Sequence, residues 1–282
     1  MRWLKNLFSR GEAAPAASEA SSPLEAGAAT EAAVPAAGSD WESHLRASPD
    51  GPVSIAVDLA LAPRAPLPDL PRLLRVRYAL RAPRADGLPD APEAEALARV
   101  EDVVAGAVAG TGGVYAGRVT RGGFREHFFY VADAAPVAEP LSAAQAQVAD
   151  YVIEHAGEDD PAWRGYREEL FPTPRALRWL LDKRAVEALA RRGDRAAAPR
   201  PVDHQASFPG PEAREAFVAE AAAQGFEVVA RRDDGPSPNG FGVDLRRTET
   251  VLLRQINAVA WALSEVAARH GGAYDGWEAP VE

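Results

Sequence analysis

Apolar and polar positions alternate most regularly from Val53 to Leu61. Val53, Ile55, Val57, Leu59 and Leu61 share one side, with Ser54 and Asp58 on the other. A period of two over that length predicts a half-buried strand. Pro63 to Pro71 is proline-rich, cannot donate ladder hydrogen bonds and must be loop. Leu74 to Leu80 predicts a second strand. Ala91-Pro92-Glu93 marks a helix start, with proline in the first turn and an acid favourable to the dipole. Leu97, Val100, Val104 and Val108 then recur at helical spacing until Gly112-Gly113. Val114 to Thr120 and Phe124 to Ala132 predict a hairpin turning at Gly122-Gly123. Ser142 and Gln145 form a capping box, opening a helix that carries Val148, Tyr151 and Val152. Trp163 to Phe171 supplies a last strand. With the strand at Val53 set aside, the order is strand-helix-strand-strand-helix-strand.

The second half shows the same alternation of periods. Thr173-Pro174 opens a helix with Leu177, Leu180, Leu181, Val186 and Leu189 on one stripe, stopped at Gly193. Pro201 to Phe208 alternates Val202, His204, Ala206 and Phe208 against Asp203, Gln205 and Ser207. Pro211 to Gln224 is a helix closed by Gly225. Phe226 to Arg231 and Phe241 to Arg247 are strands joined by a polar loop at 233–240. A helix from Glu249 to His270 sets Leu252, Ile256, Val259, Leu263 and Val266 on one side, and Ala273 to Val281 closes the pattern as a strand. The expected fold class is α+β, two tandem ferredoxin-like (βαββαβ) sandwiches. The first has an extra N-terminal strand, the second an extra N-terminal helix. The expected domains are a disordered tail over 1–40, an α+β domain over 41–173 and a ferredoxin-like domain over 174–282. Residues 11–40 are Ala, Pro, Ser, Glu and Gly with almost no large apolar side chain, too little to offset ordering entropy.

Composition narrows the function. The net charge is −10, and residues 41–172 carry thirteen bases against twenty acids, residues 173–282 fifteen against sixteen. Neither half offers the clustered Lys and Arg that phosphate backbones require, so direct nucleic-acid binding is not expected. The chain has no cysteine, which removes thiol nucleophiles, disulfides and thiolate zinc sites. No apolar run approaches the ~18 residues needed to cross a bilayer. The basic amphipathic start, Arg2 to Phe8, is too short and interrupted for a signal peptide, and a cytoplasmic location is expected.

Few residues suggest chemistry. Asp203 and His204 point to opposite faces of one strand, so they cannot act together on one substrate; His204, beside Val202 and Phe208, reads as a hydrogen-bonded core histidine. His270 suits a helix C-terminus. Asp203, His204, His270, Asp275 and Glu278 lack the helical His-x-x-x-His or close carboxylate pair that a metal site would show. Gly110 to Gly113 and Gly122-Gly123 lack the lysine and hydroxyl of a phosphate loop. No catalytic residue, metal or cofactor is expected. Tyr274-Asp275-Gly276-Trp277 is different: two large rings and a carboxylate within four residues. One reading is a turn into the last strand, with rings packed on the sheet and Asp275 accepting turn hydrogen bonds. The other is a partner-binding anchor, since Tyr and Trp concentrate interface energy. The two are compatible.

Two resemblances rest on these segments. Trp41 to Thr173 resembles an uncharacterised bacterial family, the domain of unknown function 695. The likeness runs through Ser54-Ile55-Ala56-Val57-Asp58-Leu59, Gly87-Leu88-Pro89, Glu101-Asp102, Gly117-Arg118-Val119-Thr120, Phe128-Phe129-Tyr130, Asp160-Pro161-Ala162-Trp163 and Phe171-Pro172-Thr173. It implies no activity. Arg175 to Glu282 resembles the ribonuclease E regulator B family, through Gly193-Asp194, Val202-Asp203-His204, Gly225-Phe226-Glu227-Val228 and Tyr274-Asp275-Gly276-Trp277. That resemblance implies a non-enzymatic protein that binds the endoribonuclease's scaffold region and alters which RNAs it cleaves. The partner-binding candidates are then Tyr274, Asp275, Gly276, Trp277 and Asp203, and the partner a ribonuclease E-type enzyme or its scaffold. The second half departs from the pattern in being nearly neutral. Pairing of two copies through sheet edges stays open. So does the alternative of a hydrolase or small-ligand sensor with a site between the two domains.

Overall fold

The computed structural model describes residues 38–233 and 239–282. Expectations for residues 1–37, including the Arg2–Phe8 segment, and for residues 234–238 lie outside the described residues. The chain divides into two compact units between Pro172 and Thr173.

In the N-terminal unit, β1 (Trp41–Ser48), β2 (Gly51–Asp58), β3 (Arg72–Ala79), α1 (Ala94–Ala109), β4 (Val114–Arg121), β5 (Phe124–Val131), α2 (Ala138–Gln147) and β6 (Glu154–Asp159) follow in chain order. They build a six-stranded sheet ordered β1-β2-β4-β5-β3-β6, every neighbour antiparallel. From β3 onward this is βαββαβ with the first strand between the third and fourth, the ferredoxin-like arrangement. Leu74, Val76 and Tyr78 of β3 and Phe129 and Val131 of β5 pack with Leu97, Val100, Val104 and Val108 of α1 in one core.

Three expectations are corrected. The extra element is a hairpin, β1–β2, and not a single strand; β1 alternates only between half-buried and exposed positions, so it left no apolar signal. β2 stops at Asp58, whose carboxylate caps a 3-10 turn by accepting from the Ala60 amide at 3.0 Å. Second, α2 begins at Ala138, before Ser142, and ends at Gln147. The Gln145 side chain instead staples the next connection, donating to Tyr151 O and accepting from Ile153 N, both at 2.7 Å. Third, the closing strand is Glu154–Asp159 and not Trp163–Phe171. All six of its residues are exposed. It is held by its ladder to β3 and by Arg72–Asp159 and Arg75–Glu158 pairs at 3.1 and 3.0 Å.

Trp163, Tyr166 and Leu170 are buried at helical spacing because Gly165–Leu170 is one π-helical segment. It lies on the sheet face opposite α1. Trp163 stacks on Tyr130 with ring centroids 3.8 Å apart and donates its indole N–H to Leu70 O at 3.0 Å. Its φ of 56° is costly for a bulky side chain. Asp160 holds the turn, accepting from Tyr130 Oη at 2.7 Å, Arg164 N at 2.8 Å and Gly165 N at 2.9 Å.

The C-terminal unit comprises α3 (Pro174–Ala190), β7 (Arg200–Phe208), α4 (Pro211–Ala222), β8 (Glu227–Asp233), β9 (Phe241–Glu249), α5 (Leu253–Arg269) and β10 (Ala273–Glu278). Thr173 caps α3 by accepting from Ala176 N at 3.3 Å. The four-stranded sheet runs β10-β7-β9-β8, again the ferredoxin-like order. Fully buried Phe208, Phe217 and Leu263 join α4 and α5 to the sheet, each burial worth roughly 1.5–3 kcal/mol. Boundaries differ from expectation most at the end of the unit. β9 runs on to Glu249, which delays α5 to Leu253, and β10 ends at Glu278. Ala279 and Val281 leave the strand to pack against a satellite core of Leu189, Val202, Val251 and Ile256.

Candidate functional site

Tyr274 and Trp277 stand three residues apart in β10, so a regular strand would point them to opposite faces. They share a face. Tyr274 pairs with Ala206, Gly276 with Gln205 and Trp277 with His204, so one extra residue is inserted at Asp275. This is a β-bulge, and Gly276 at φ 140° supplies the backbone shape it needs. A side chain at Gly276 would meet nothing within 4 Å, so the requirement is conformational and not spatial. The glycine between the two rings is what brings both to the helix side of the sheet.

Each ring is then tied by its polar atom. Tyr274 is buried, its hydroxyl 2.7 Å from His204 Nδ1, and His204 Nε2 lies 2.8 Å from Glu249 Oε1. Burial opposes ionisation of Glu249, but hydrogen bonds from His204 and Arg247 hold its carboxyl below the usual range. The Tyr274 hydroxyl and the Glu249 carboxylate thus engage the two ring nitrogens of His204, one on each side. The half-buried Trp277 donates its indole N–H to Asp182 Oδ1 at 2.9 Å. Asp182 also accepts from Asn257 Nδ2 on Oδ2 at 2.9 Å and pairs with Arg178 Nη2 at 2.9 Å. Burial pushes the Asp182 carboxyl up, and those three donors oppose the shift. The Arg178 guanidinium sits 5.5 Å from the Tyr274 ring centre.

Asp182 and Glu249 are the residues the sequence reading missed. Asp182 had a signal, since it directly follows Leu180-Leu181 on the apolar stripe of α3, where a lone acid needs donors. Glu249 had none, because its position at the end of β9 was read as helix.

The remaining candidates lie on the other face. Asp203 takes a bidentate pair from Arg246 at 2.6 and 2.7 Å, which holds its carboxyl below the usual range. Asp275 accepts from Ser207 Oγ at 3.3 Å. Asp203 is also the register partner of Glu278. The sheet therefore divides the candidate side chains: the Tyr274 and Trp277 rings face the helices, whereas Asp203 and Asp275 join Glu278 on a polar outer face beside an edge strand. His204 is occupied by Tyr274 and Glu249, and His270 lies 2.7 Å from Glu220. Among the described residues no group of three or more His, Asp or Glu is disposed to hold a metal ion. No helix among them is long and apolar enough to cross a membrane.

Comparison with known proteins follows this division. Residues 39–171 match a family of unknown function, DUF695, and residues 181–279 match the family described as Regulator of ribonuclease activity B. The N-terminal half is thus similar to the first and the C-terminal half to the second. No curated protein matches the chain. Among solved structures, an unknown protein from Galdieria sulphuraria is 14% identical at a TM-score of 0.22, over 74% of this chain and 98% of that one. A putative glycine cleavage system transcriptional repressor is 10% identical at a TM-score of 0.22, with the same two coverages of 74% and 98%. Likeness at that level bears on neither fold nor function.

Proposed function

We propose that the chain is a non-catalytic, protein-binding regulator of a ribonuclease E-type enzyme, acting through its C-terminal unit. The observation that carries this reading is the match of residues 181–279 to Regulator of ribonuclease activity B. It falls on a complete ferredoxin-like unit whose last strand is an anchored edge. The proposed contact is the outer face and free edge of β10, with Asp275, Gly276 and Asp203 near its centre and Glu278 at its rim, while Trp277 on the helix side fixes the strand through Asp182. Acids there favour a basic segment of the enzyme's scaffold, and opposed charge speeds encounter and fixes orientation. Tyr274 is buried, so its part is to hold the edge strand through His204 and not to touch the partner.

The test is cleavage of a structured RNA by a ribonuclease E-type enzyme with its scaffold, with and without the full-length chain. A changed cleavage pattern is expected, reverting with the Asp275→Arg/Glu278→Arg pair, which alters surface charge without entering the core. An unchanged pattern at saturating full-length chain would sink the proposal.

A further inference from the structure

The N-terminal unit contains a cavity of about 520 Å³, within the range of small-molecule sites. One wall is α1, which presents Ala105, Gly106 and Ala109, all small. A side chain added at Gly106 would meet nothing within 4 Å, so this wall is set back by the sequence itself. Trp41 at the start of β1 and Asp58, Leu61 and Leu67 around the end of β2 also line it. Trp41 is braced by Tyr115, ring centroids 4.9 Å apart, and Tyr115 in turn stacks on Phe129 at 4.8 Å. The lining thus combines a Trp41 ring packed on Tyr115 with small alanine and glycine positions of α1.

Charge decides which ligand suits it. Three acids line the cavity, Asp58, Glu101 and Asp102, against one base, the exposed Arg64. Glu101 is already satisfied, because it accepts from Arg118 at 2.6 Å and from Tyr115 at 2.8 Å. Asp58 is not. It is buried to 8% exposure, and its hydrogen bonds from Asp40 N at 2.7 Å and Ala60 N at 3.0 Å both go to Oδ1. Among the described residues Oδ2 has no hydrogen-bond partner, yet it is not one of the side-chain atoms sealed from solvent. A nearly buried carboxylate thus keeps one oxygen accessible on a cavity-lining residue.

We propose that this cavity binds a small organic cation, a primary amine on a compact apolar or aromatic body. The ammonium donates to Asp58 Oδ2, and the body lies against the Trp41 ring and the small α1 positions. A charge-assisted hydrogen bond supplies direction, and the aromatic face attracts the same charge. A carboxylate of equal shape would meet three acids and is excluded.

The experiment is calorimetric titration of the full-length chain with benzylamine and n-butylamine, and with benzoate as the anionic control. Saturable one-to-one binding of an amine with Kd below about 1 mM is expected, and none of benzoate. Asp58→Asn keeps the Oδ1 acceptor that Asp40 and Ala60 use while removing the charge, and should weaken amine binding at least roughly tenfold. Gly106→Leu projects from the helix into open space, and should abolish binding while leaving the thermal transition in place. The proposal is overturned if neither amine saturates, if benzoate binds as tightly, or if Gly106→Leu folds and binds like the parent.

Discussion

Both units arrange their strands in the same ferredoxin-like order, but they treat the second face of the sheet in opposite ways. In the N-terminal unit the face opposite α1 is closed by Asp160–Leu170, which seats Trp163 on Tyr130 and buries both. In the C-terminal unit the corresponding face carries Asp203, Gln205, Ser207, Asp244, Arg246 and Asp275 and is polar. Closing strands differ in the same sense. β6 has no buried residue and is held by backbone and arginine pairs. β10 is fixed through Tyr274 and Trp277, leaving its outer face and edge available. One topology therefore yields a unit covered on both faces of its sheet and a unit whose second face is polar.

The sharpest way to break that contrast is to unseal the first unit. Trp163→Ala removes a fully buried ring and its hydrogen bond to Leu70, and should cost about 3–5 kcal/mol. Hydrogen exchange read peptide by peptide should show β3 and β5 losing protection while β7 and β9 keep theirs. Equal loss in both units would mean that the segment is not a local seal.

Acid should separate the units next. His127 is fully buried among Glu101, Arg118, Arg125, Tyr115 and Tyr78, and its pKa falls from 6.5 to about 3. Burial is the largest cause, opposed by Glu101 and reinforced by the two arginines. The unfolded chain binds this proton first, so the N-terminal unit is fully stable above pH 6.5 and loses stability as pH falls toward 3. By pH 5 the loss is about 2 kcal/mol from this residue. His127→Gln should flatten the slope of stability against pH between 6.5 and 5 in urea titrations; an unchanged slope would remove His127 as its source.

How much of this was legible depended on whether burial followed a simple period. The βαββαβ order of both halves could be read because β3, β7 and the helices α1 and α5 bury mainly one side. β6 escaped because none of its residues is buried, so no alternation existed to detect. Trp163 to Phe171 misled because an apolar segment of that length fits a strand, whereas its buried positions recur at three and four. The Tyr274–Trp277 segment was legible as special but not as a mechanism. Period two says its rings part company, and only the register shift at Asp275 shows why they do not. Asp58 gave a pattern position but not its function, since the free oxygen depends on which amides the fold brings to Oδ1.

The smallest expected effect tests that register shift directly. Gly276→Ala adds one methyl group where nothing lies within 4 Å, so packing predicts no cost at all. The backbone at φ 140° predicts otherwise, because any Cβ is strained there, by about 1–2 kcal/mol. If the bulge holds, the C-terminal unit should lose about that much stability and Trp277 should keep its bond to Asp182. If the chain instead relaxes to a regular strand, Trp277 must turn to the outer face, leaving Asp182 with two donors where it had three. Indole fluorescence separates the outcomes: an unshifted Trp277 contribution with a lower urea midpoint supports the bulge, and a red-shifted one places the ring in water. An unchanged midpoint with unchanged fluorescence would show that the glycine is not what sets the two rings on one face.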